Sequence, residues 1–175
     1  VVKMNPGQNR YPMDSPEVMA VVDEIVRLGA TPAFHYGADT PFTPAAGLEA
    51  VARRLGDWPV LAVHMGGGGA GYVEAEEQYH ASIALGLQYP NIHYVFSALR
   101  DTYIAEAIRQ YEAAPGEAWR RLLAASDAPY GRMSWNFGGF REMLRENPRR
   151  QHYLGGNCAR FLVGAYERLL QEHRA

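Results

Sequence analysis

Two histidines and one aspartate occupy matching places in the sequence, because each comes at the end of a short apolar run. His35 closes the second of five such runs, His64 closes the third, and Asp127 follows the fifth. Imidazole nitrogens and carboxylate oxygens are ligands that zinc and similar divalent ions accept, and both groups also transfer protons. The three residues therefore predict a metal or proton-transfer site, provided that the fold brings the ends of the runs together.

Each of these residues also has a purely structural interpretation. A histidine at the end of a single strand is ordinarily a hydrogen-bonded structural residue, and the aspartate of a Ser-Asp-Ala-Pro turn commonly caps backbone amides. The repetition at one relative position, strand after strand, is what favours function. The other four histidines lack such a position and are interpreted as structural: His80, His93, His152 and His173.

Short β-rich runs alternate with amphipathic segments along the whole chain. The runs cover residues 1–4, 32–36, 59–65, 92–98 and 122–126. Their spacing of about 30 residues is that of a βα repeat, and such alternation predicts a parallel sheet. In a parallel α/β architecture chemistry gathers at the carboxyl ends of the strands, which is where the two histidines and the aspartate stand.

The helices between the runs have recognisable starts. Ser15 and Thr43 each precede a proline and are predicted to cap the helices that follow, and Asn136 is predicted to cap a later one. Further helices are predicted over residues 72–87 and, as the last element, 157–170. No linker or low-complexity segment interrupts the series. The chain is thus one domain over residues 1–175, either an open doubly wound sheet or part of a (β/α)₈ barrel.

A glycine-rich stretch after the third run offers a different function. Gly66, Gly68 and Gly71 match the G-x-G-x-x-G pattern of dinucleotide-binding loops. However, no acidic residue closes the following strand, and the absence of a lysine after the glycines excludes a P-loop. The alternative is that the glycines let the backbone turn tightly over the end of the strand.

Composition restricts the class of protein. The 175 residues are 47% apolar and 21% charged, which is typical of a soluble globular chain. A net charge of -2 gives no reason to expect nucleic acid or an anionic membrane as partner. The single Cys158 excludes an internal disulfide and a cysteine-based zinc site. No apolar run is long enough to span a membrane and no signal pattern is visible, so a cytoplasmic location is expected.

The sequence resembles the amidohydrolase-related family of metal-dependent barrel enzymes. That family includes aminocarboxymuconate-semialdehyde decarboxylase and the hydroxybenzoate decarboxylases beside true hydrolases. The His-Met-Gly-Gly and Ser-Asp-Ala-Pro elements are the most specific carriers of the resemblance. The similar segments follow one another in order over nearly the whole chain and comprise residues 2–6, 32–37, 61–67, 90–92, 124–129 and 154–162.

The resemblance implies that the five runs are strands 4 to 8 of a (β/α)₈ TIM barrel. It further implies that His35 is a metal ligand, that His64 handles protons beside the metal-bound water, and that Asp127 binds the metal and helps to activate the water. In some relatives the counterpart of His64 is a second-metal ligand. The implied cofactor is a divalent metal, zinc or manganese, which lowers the pKa of bound water to about 7.

One departure from the family is large. The family begins with a His-x-His pair of metal ligands on strand 1, and no His-x-His occurs in this sequence. A complete barrel takes about 250 residues. The resemblance therefore implies a partial domain whose partner is the missing N-terminal half of the barrel. It also implies a homo-oligomer, by analogy. Lys3 lies in the run that corresponds to strand 4, where some members carry a carboxylated lysine.

Three alternative functions are expected. The first is a metal-dependent hydrolase that attacks an amide, ester or lactone of a small-molecule substrate. The second is a non-oxidative decarboxylase of an aromatic or unsaturated acid, and the third is a catalytically silent half-barrel. Arg100 and Tyr36 are predicted to bind substrate, with Arg132 and Trp135 on loops at the same edge.

Overall fold

The computed structural model of the chain describes residues 1–37, 41–67, 76–97, 101–127 and 133–172. Arg100, predicted to bind substrate, and Arg132, predicted on a loop at the same edge, lie outside these ranges, as do Gly68 and Gly71 of the glycine pattern. The loop predicted at Trp135 is wrong, because this residue lies within the helix Met133–Met143.

Five strands form one parallel sheet in the order β1-β2-β3-β4-β5, so each strand lies beside its neighbour in sequence. This order has no reversal point, which a doubly wound sheet requires, and it is the order of barrel strands. The parallel sheet and its five βα units are confirmed. The strands are β1 (Val2–Met4), β2 (Pro32–His35), β3 (Val60–Val63), β4 (Ile92–Phe96) and β5 (Leu122–Ala124).

Seven α-helices are present in the described part of the chain, and most of them follow a strand. They are α1 (Pro6–Asn9), α2 (Pro16–Arg27), α3 (Ala45–Leu55), α4 (Glu76–Gln88), α5 (Asp101–Ala113), α6 (Met133–Met143) and α7 (Asn157–Glu172). A 3₁₀ turn, Ala118–Arg121, precedes β5, and a π-helical turn, His152–Gly156, precedes α7. No described helix is both long enough and apolar enough to cross a membrane.

The predicted helix starts have mixed outcomes. Ser15 caps α2 as predicted, because its hydroxyl accepts a hydrogen bond from the backbone N–H of Val18. The prediction for Thr43 is wrong: Pro44 precedes α3, and the Thr43 hydroxyl donates instead to the carbonyl of Gly37, 2.8 Å away. The prediction for Asn136 is also wrong, because α6 begins three residues earlier.

One face of the sheet packs against helices α2 to α5. Phe34, Ala62 and Tyr94 are register partners on neighbouring strands and lie together in this larger core. Helix residues such as Leu48 and Ile83 cover them. We call this the helix face; its burial of large apolar side chains is what holds the strands in register.

The opposite face, here called the open face, carries the alternate residues of each strand: Lys3, Ala33, His35, Leu61, His93 and Leu123. Helix α7 covers the amino end of this face. Phe161 packs with Ala33, Leu61 and Leu123, and the rings of Phe161 and His93 lie 4.9 Å apart. The carboxyl end of the open face is where the candidate site lies.

Candidate functional site

The two predicted site histidines lie against each other at the carboxyl end of the sheet. His35 is the last residue of β2, and its position two residues after Ala33 places it on the open face. His64 follows β3 directly. The two imidazole rings are 4.4 Å apart between centroids and meet edge to face at 62°. The structure therefore brings together residues that are 29 positions apart in the sequence.

His64 lies in a strained turn. Its backbone N–H continues the strand pattern by donating to Val95, 2.8 Å away, but its φ is 77° and that of Met65 is 49°. Left-handed backbone at residues other than glycine costs about 1–2 kcal/mol each. The N–H of Gly67 donates to the carbonyl of His64 at 2.8 Å and closes the turn. Such strain persists only where the surroundings over-determine the conformation, and it concentrates at functional sites.

Two contacts enforce this turn. The N–H of Gly66 donates to the carbonyl of Tyr36, 3.0 Å away, so the segments after β2 and β3 are joined. Gly37 approaches the turn so closely that a Cβ atom there would collide with the carbonyl oxygen of Gly67. The described glycines thus serve a tight turn and a close approach of two backbones, which agrees with the structural interpretation of the glycine run.

The imidazole of His64 is buried and held through one nitrogen. Nδ1 lies 3.0 Å from the hydroxyl oxygen of Ser97 and 3.3 Å from the carbonyl oxygen of the same residue. Ser97 follows β4 and is almost fully buried. Ser97 lies within the fourth apolar run, residues 92–98, and has no predicted role. Its position at the same edge as the two histidines was the available signal.

The pKa of His64 is lowered from 6.5 to about 4. Burial is the largest cause, and the charge of His35 adds to it. The charge of Asp127 and the hydrogen bond to Ser97 act in the opposite direction, and the charge of Lys3 lowers the pKa further. At neutral pH His64 is therefore an uncharged imidazole with one protonated nitrogen.

Asp127 lies beyond the end of β5, half-buried and with a φ of 55°. It is near enough for its charge to act on His64. Among the described residues, however, no three His, Cys, Asp or Glu side chains lie close enough together to hold a metal ion. The donor types fit a divalent ion, but this part of the chain supplies a pair of imidazoles rather than three ligands. The roles of His35 and Asp127 as metal ligands stay predictions.

Lys3 provides a positive charge on the same side of the sheet. It is the register partner of Ala33, so its side chain is on the open face, like that of His35, and it is exposed. Its charge reaches His64. Strand alternation and register were the signals that place it there.

Tyr36, predicted to bind substrate, has a different position. Its side chain is fully buried in the core of the helix face, and its hydroxyl lies 3.0 Å from that of Ser82 in α4. Burial raises the pKa of Tyr36 to about 12. Tyr36 turns away from the open face because β2 ends at His35 and the alternation continues into the next residue. We therefore assign it to the support of the turn rather than to substrate contact.

The support below the turn is a set of buried hydroxyl groups. Ser82 donates to the carbonyl of Gln78 at 2.7 Å, and the hydroxyl of Tyr94 donates to the carbonyl of Ser82 at 2.7 Å. A Cβ atom on Gly66 would lie 2.8 Å from the Ser82 hydroxyl oxygen, so the turn rests directly on α4. Because each of these buried polar groups has a partner, they fix the turn at little energetic cost.

No protein-family model matches the sequence, and no curated protein matches it. Solved structures do match the fold. An uncharacterised TIM-barrel protein from Bordetella bronchiseptica is 19% identical, with a TM-score of 0.64 over 93% of this chain and 57% of that one.

Two decarboxylases match as well. A 2,6-dihydroxybenzoate decarboxylase from Rhizobium is 16% identical, with a TM-score of 0.53 over 85% of this chain and 56% of that one. A dihydroxybenzoic acid decarboxylase from a Polaromonas species, with bound manganese and 2-nitroresorcinol, is 14% identical, with a TM-score of 0.51 over 95% of this chain and 58% of that one.

These similarities show the fold. The chain has the architecture of a TIM-barrel protein, and it spans little more than half the length of the solved structures that it matches. In TIM barrels the carboxyl ends of the strands carry the active site. The histidine pair of this chain lies at that end.

Proposed function

We propose that the chain is part of a non-oxidative decarboxylase that acts on an aromatic or unsaturated carboxylic acid. The observation that carries the proposal is the pair of packed imidazoles, His35 and His64, at the carboxyl end of a barrel-type sheet. The similarity to two dihydroxybenzoate decarboxylases supports this reaction over others on the same fold.

The reaction needs a proton and a means of holding the carboxylate. In non-oxidative decarboxylation the bond between the ring carbon and the carboxylate breaks, its electron pair stays on the carbon, and a proton replaces the carbon dioxide that leaves. We assign the transfer of this proton to His64: its second nitrogen, which is not bonded to Ser97, takes a proton from water and passes it to the carbon, and the hydroxide that remains combines with the carbon dioxide as bicarbonate. Lys3, on the same face, provides a positive charge for the substrate carboxylate.

A divalent metal fits the donor chemistry of the site. His35 and Asp127 are the residues that would hold it, and the bound ion would supply positive charge to the oxygens of the substrate.

The remaining ligands come, we propose, from βα units outside these 175 residues. The described part of the chain groups fewer than three ligands, and the barrel proteins that it matches are nearly twice as long. β1 pairs only with β2 in the described structure, and Val1 and Val2 are 59% and 42% exposed. This edge is where a further parallel strand would pair.

The test is an assay of the complete protein, meaning these residues together with the units that complete the barrel. Incubation with hydroxybenzoates, 2,6-dihydroxybenzoate among them, after addition of Mn²⁺ should release carbon dioxide. A His64→Asn variant should not. Absence of release across the whole panel, in a protein that binds the metal, would contradict the proposal.

Hydrolysis of an amide, ester or lactone is the second candidate. A neutral imidazole can accept a proton from water, and the nitrogen of His64 that does not contact Ser97 is the one proposed to do so. Turnover of ester or lactone substrates without any release of carbon dioxide from hydroxybenzoates would favour hydrolysis.

A further inference from the structure

Ser97 makes two contacts to one nitrogen of His64, and the two contacts differ in what they allow. A serine hydroxyl both donates and accepts, so the 3.0 Å contact of its oxygen to Nδ1 is compatible with either tautomer of the imidazole. A backbone carbonyl only accepts. The 3.3 Å contact between the carbonyl oxygen and Nδ1 is therefore favourable only when Nδ1 carries the proton.

Burial of both residues keeps bulk water from hydrogen-bonding to Nδ1 in the tautomer in which this nitrogen is unprotonated. His64 is 3% exposed and Ser97 is 1% exposed. With Nδ1 unprotonated, its lone pair would face the carbonyl oxygen inside the protein, and two acceptors would be opposed without a proton between them. An unsatisfied buried polar group costs about 1–3 kcal/mol. With Nδ1 protonated, the same proton is shared by the carbonyl and the hydroxyl oxygen.

We propose that Ser97 is the positioning residue of His64: its carbonyl and hydroxyl hold the proton on Nδ1, so that Nε2 is the nitrogen that accepts protons or binds a metal. Imidazoles in metal and proton-transfer sites are commonly oriented in this way by a bond at the other nitrogen. The pairing of β3 with β4 places Ser97 beside His64. Val63 and Val95 are register partners, so the residues that follow the ends of β3 and β4 meet across the edge of the sheet.

The tautomer can be measured without any assay of activity. In a long-range ¹H–¹⁵N spectrum of the protein at neutral pH, His64 is assigned as the signal set that is lost in His64→Asn. Its Nδ1 should show the shift of a protonated, pyrrole-type nitrogen and its Nε2 that of a pyridine-type nitrogen. The reverse pattern would overturn the proposal, because the Ser97 hydroxyl would then be donating to a bare Nδ1.

Variants of Ser97 separate the hydroxyl from the carbonyl. Ser97→Ala removes the hydroxyl but keeps the carbonyl, so the Nδ1-protonated form should stay dominant and the share of the Nε2-protonated form should not rise, whereas Ser97→Thr, which keeps a hydroxyl, should show the wild-type ratio. Ser82→Ala is the matched control, because Ser82 is an equally buried serine that contacts Tyr36 rather than His64. A rise of the Nε2-protonated form in Ser97→Ala would contradict the proposal, because it would mean that the retained carbonyl does not hold the proton on Nδ1; Ser82→Ala should leave the ratio unchanged.

A second measurement rests on the proposed function. In the complete protein, turnover by Ser97→Ala should fall by about 10-fold or more, with Ser97→Thr recovering most of it. If the tautomer follows the pattern above but no decarboxylation is found in any variant, the proposed reaction is wrong while the positioning role stands. If Ser97→Ala turns over like wild type, the positioning role is wrong.

Discussion

The two ends of the open face are built on opposite principles. At the amino end, α7 seals the sheet: the Asn157 side chain donates to the carbonyls of Trp119 and Leu122 at 3.0 and 2.9 Å, and Phe161 fills the space beside His93. The carboxyl end carries the histidine pair, with ring centroids 4.4 Å apart. There the backbone of His64 and Met65 is in the left-handed region, and a charged lysine is exposed nearby.

This difference indicates that the amino end of the open face mainly stabilises the fold, whereas the carboxyl end carries the candidate site. At the amino end Asn157 satisfies two buried carbonyls and Phe161 fills space, which stabilises the fold. The carboxyl end keeps left-handed backbone at His64 and Met65, which costs stability and is typical of functional sites. Changes at the two ends should therefore affect different measured quantities, and each of the following variants tests this separation.

The largest effect is expected from His64→Asn. On the proposed function, in which His64 transfers the proton, its loss should lower turnover by about 10³-fold, within the usual range for general acid–base residues. The free energy of unfolding should change by less than about 1 kcal/mol, because asparagine tolerates left-handed backbone better than most residues. Carbon dioxide release and urea unfolding of the same preparation measure the two quantities. His80→Asn, on the exposed side of α4, is the control. Retained turnover in His64→Asn would show that His64 does not take part in the reaction.

Phe161→Ala should show the opposite behaviour. The ring is 7% exposed and packs under three strands, so its removal should lower the free energy of unfolding by about 3–4 kcal/mol. Turnover per folded molecule should stay close to that of wild type. Leu162→Ala is a matched control on the same helix, since Leu162 is 53% exposed and should cost less than about 0.5 kcal/mol. Equal costs for the two variants would mean that α7 does not seal the sheet in solution.

Gly37→Ala should lower both the free energy of unfolding and turnover, because Gly37 packs against the strained turn at His64. A methyl group there collides with the backbone of Gly67, so the segments after β2 and β3 must separate. We expect a loss of about 1–3 kcal/mol in unfolding free energy together with a loss of turnover. Gly138→Ala in α6 meets no neighbour within 4 Å and should be neutral or stabilising, by up to about 1 kcal/mol. A Gly37→Ala protein with normal turnover would show that the turn geometry is not needed for the reaction.

Much of the fold could be predicted from the sequence because its signals are local. The alternation of apolar runs and helical periodicity predicts the five parallel strands, and the helix from Asn157 is confirmed. The face on which that helix packs could not be predicted, because this depends on long-range packing of Phe161 against the sheet. For the same reason the helix periodicity at residues 137–144 did not reveal that α6 begins before Asn136.

The two histidines of the candidate site could be predicted from the sequence, but the residues that hold them in place could not. His35 and His64 were predicted to lie together because strand ends of a parallel sheet share one edge. The left-handed turn could not be foreseen, because the contacts that enforce it come from Tyr36 and Gly37 on the neighbouring segment. Tyr36 was misplaced because a single residue beyond a strand changes the face on which its side chain lies.

The smallest expected effect is a pH dependence of the unfolding free energy, which arises from His93 at the amino end of the open face. Burial, with added repulsion from Arg121 and Arg168, lowers the pKa of His93 from 6.5 to about 4 in the folded protein. The unfolded chain therefore binds more protons between these values. The stabilising contribution is complete above about pH 6.5, falls as the pH is lowered, and is lost by about pH 4. By about pH 5 the loss amounts to about 2 kcal/mol.

A His93→Gln variant carries no titrating group at this position, so its unfolding free energy should decline less between about pH 7 and about pH 5, by the same 2 kcal/mol. Urea unfolding of the variant and of wild type at both pH values measures the difference. Turnover at neutral pH should be unaffected, because His93 is at the amino end, beneath Phe161. If His93→Gln lost turnover while keeping the wild-type pH dependence of stability, the two ends of the open face would not be divided as their geometry indicates.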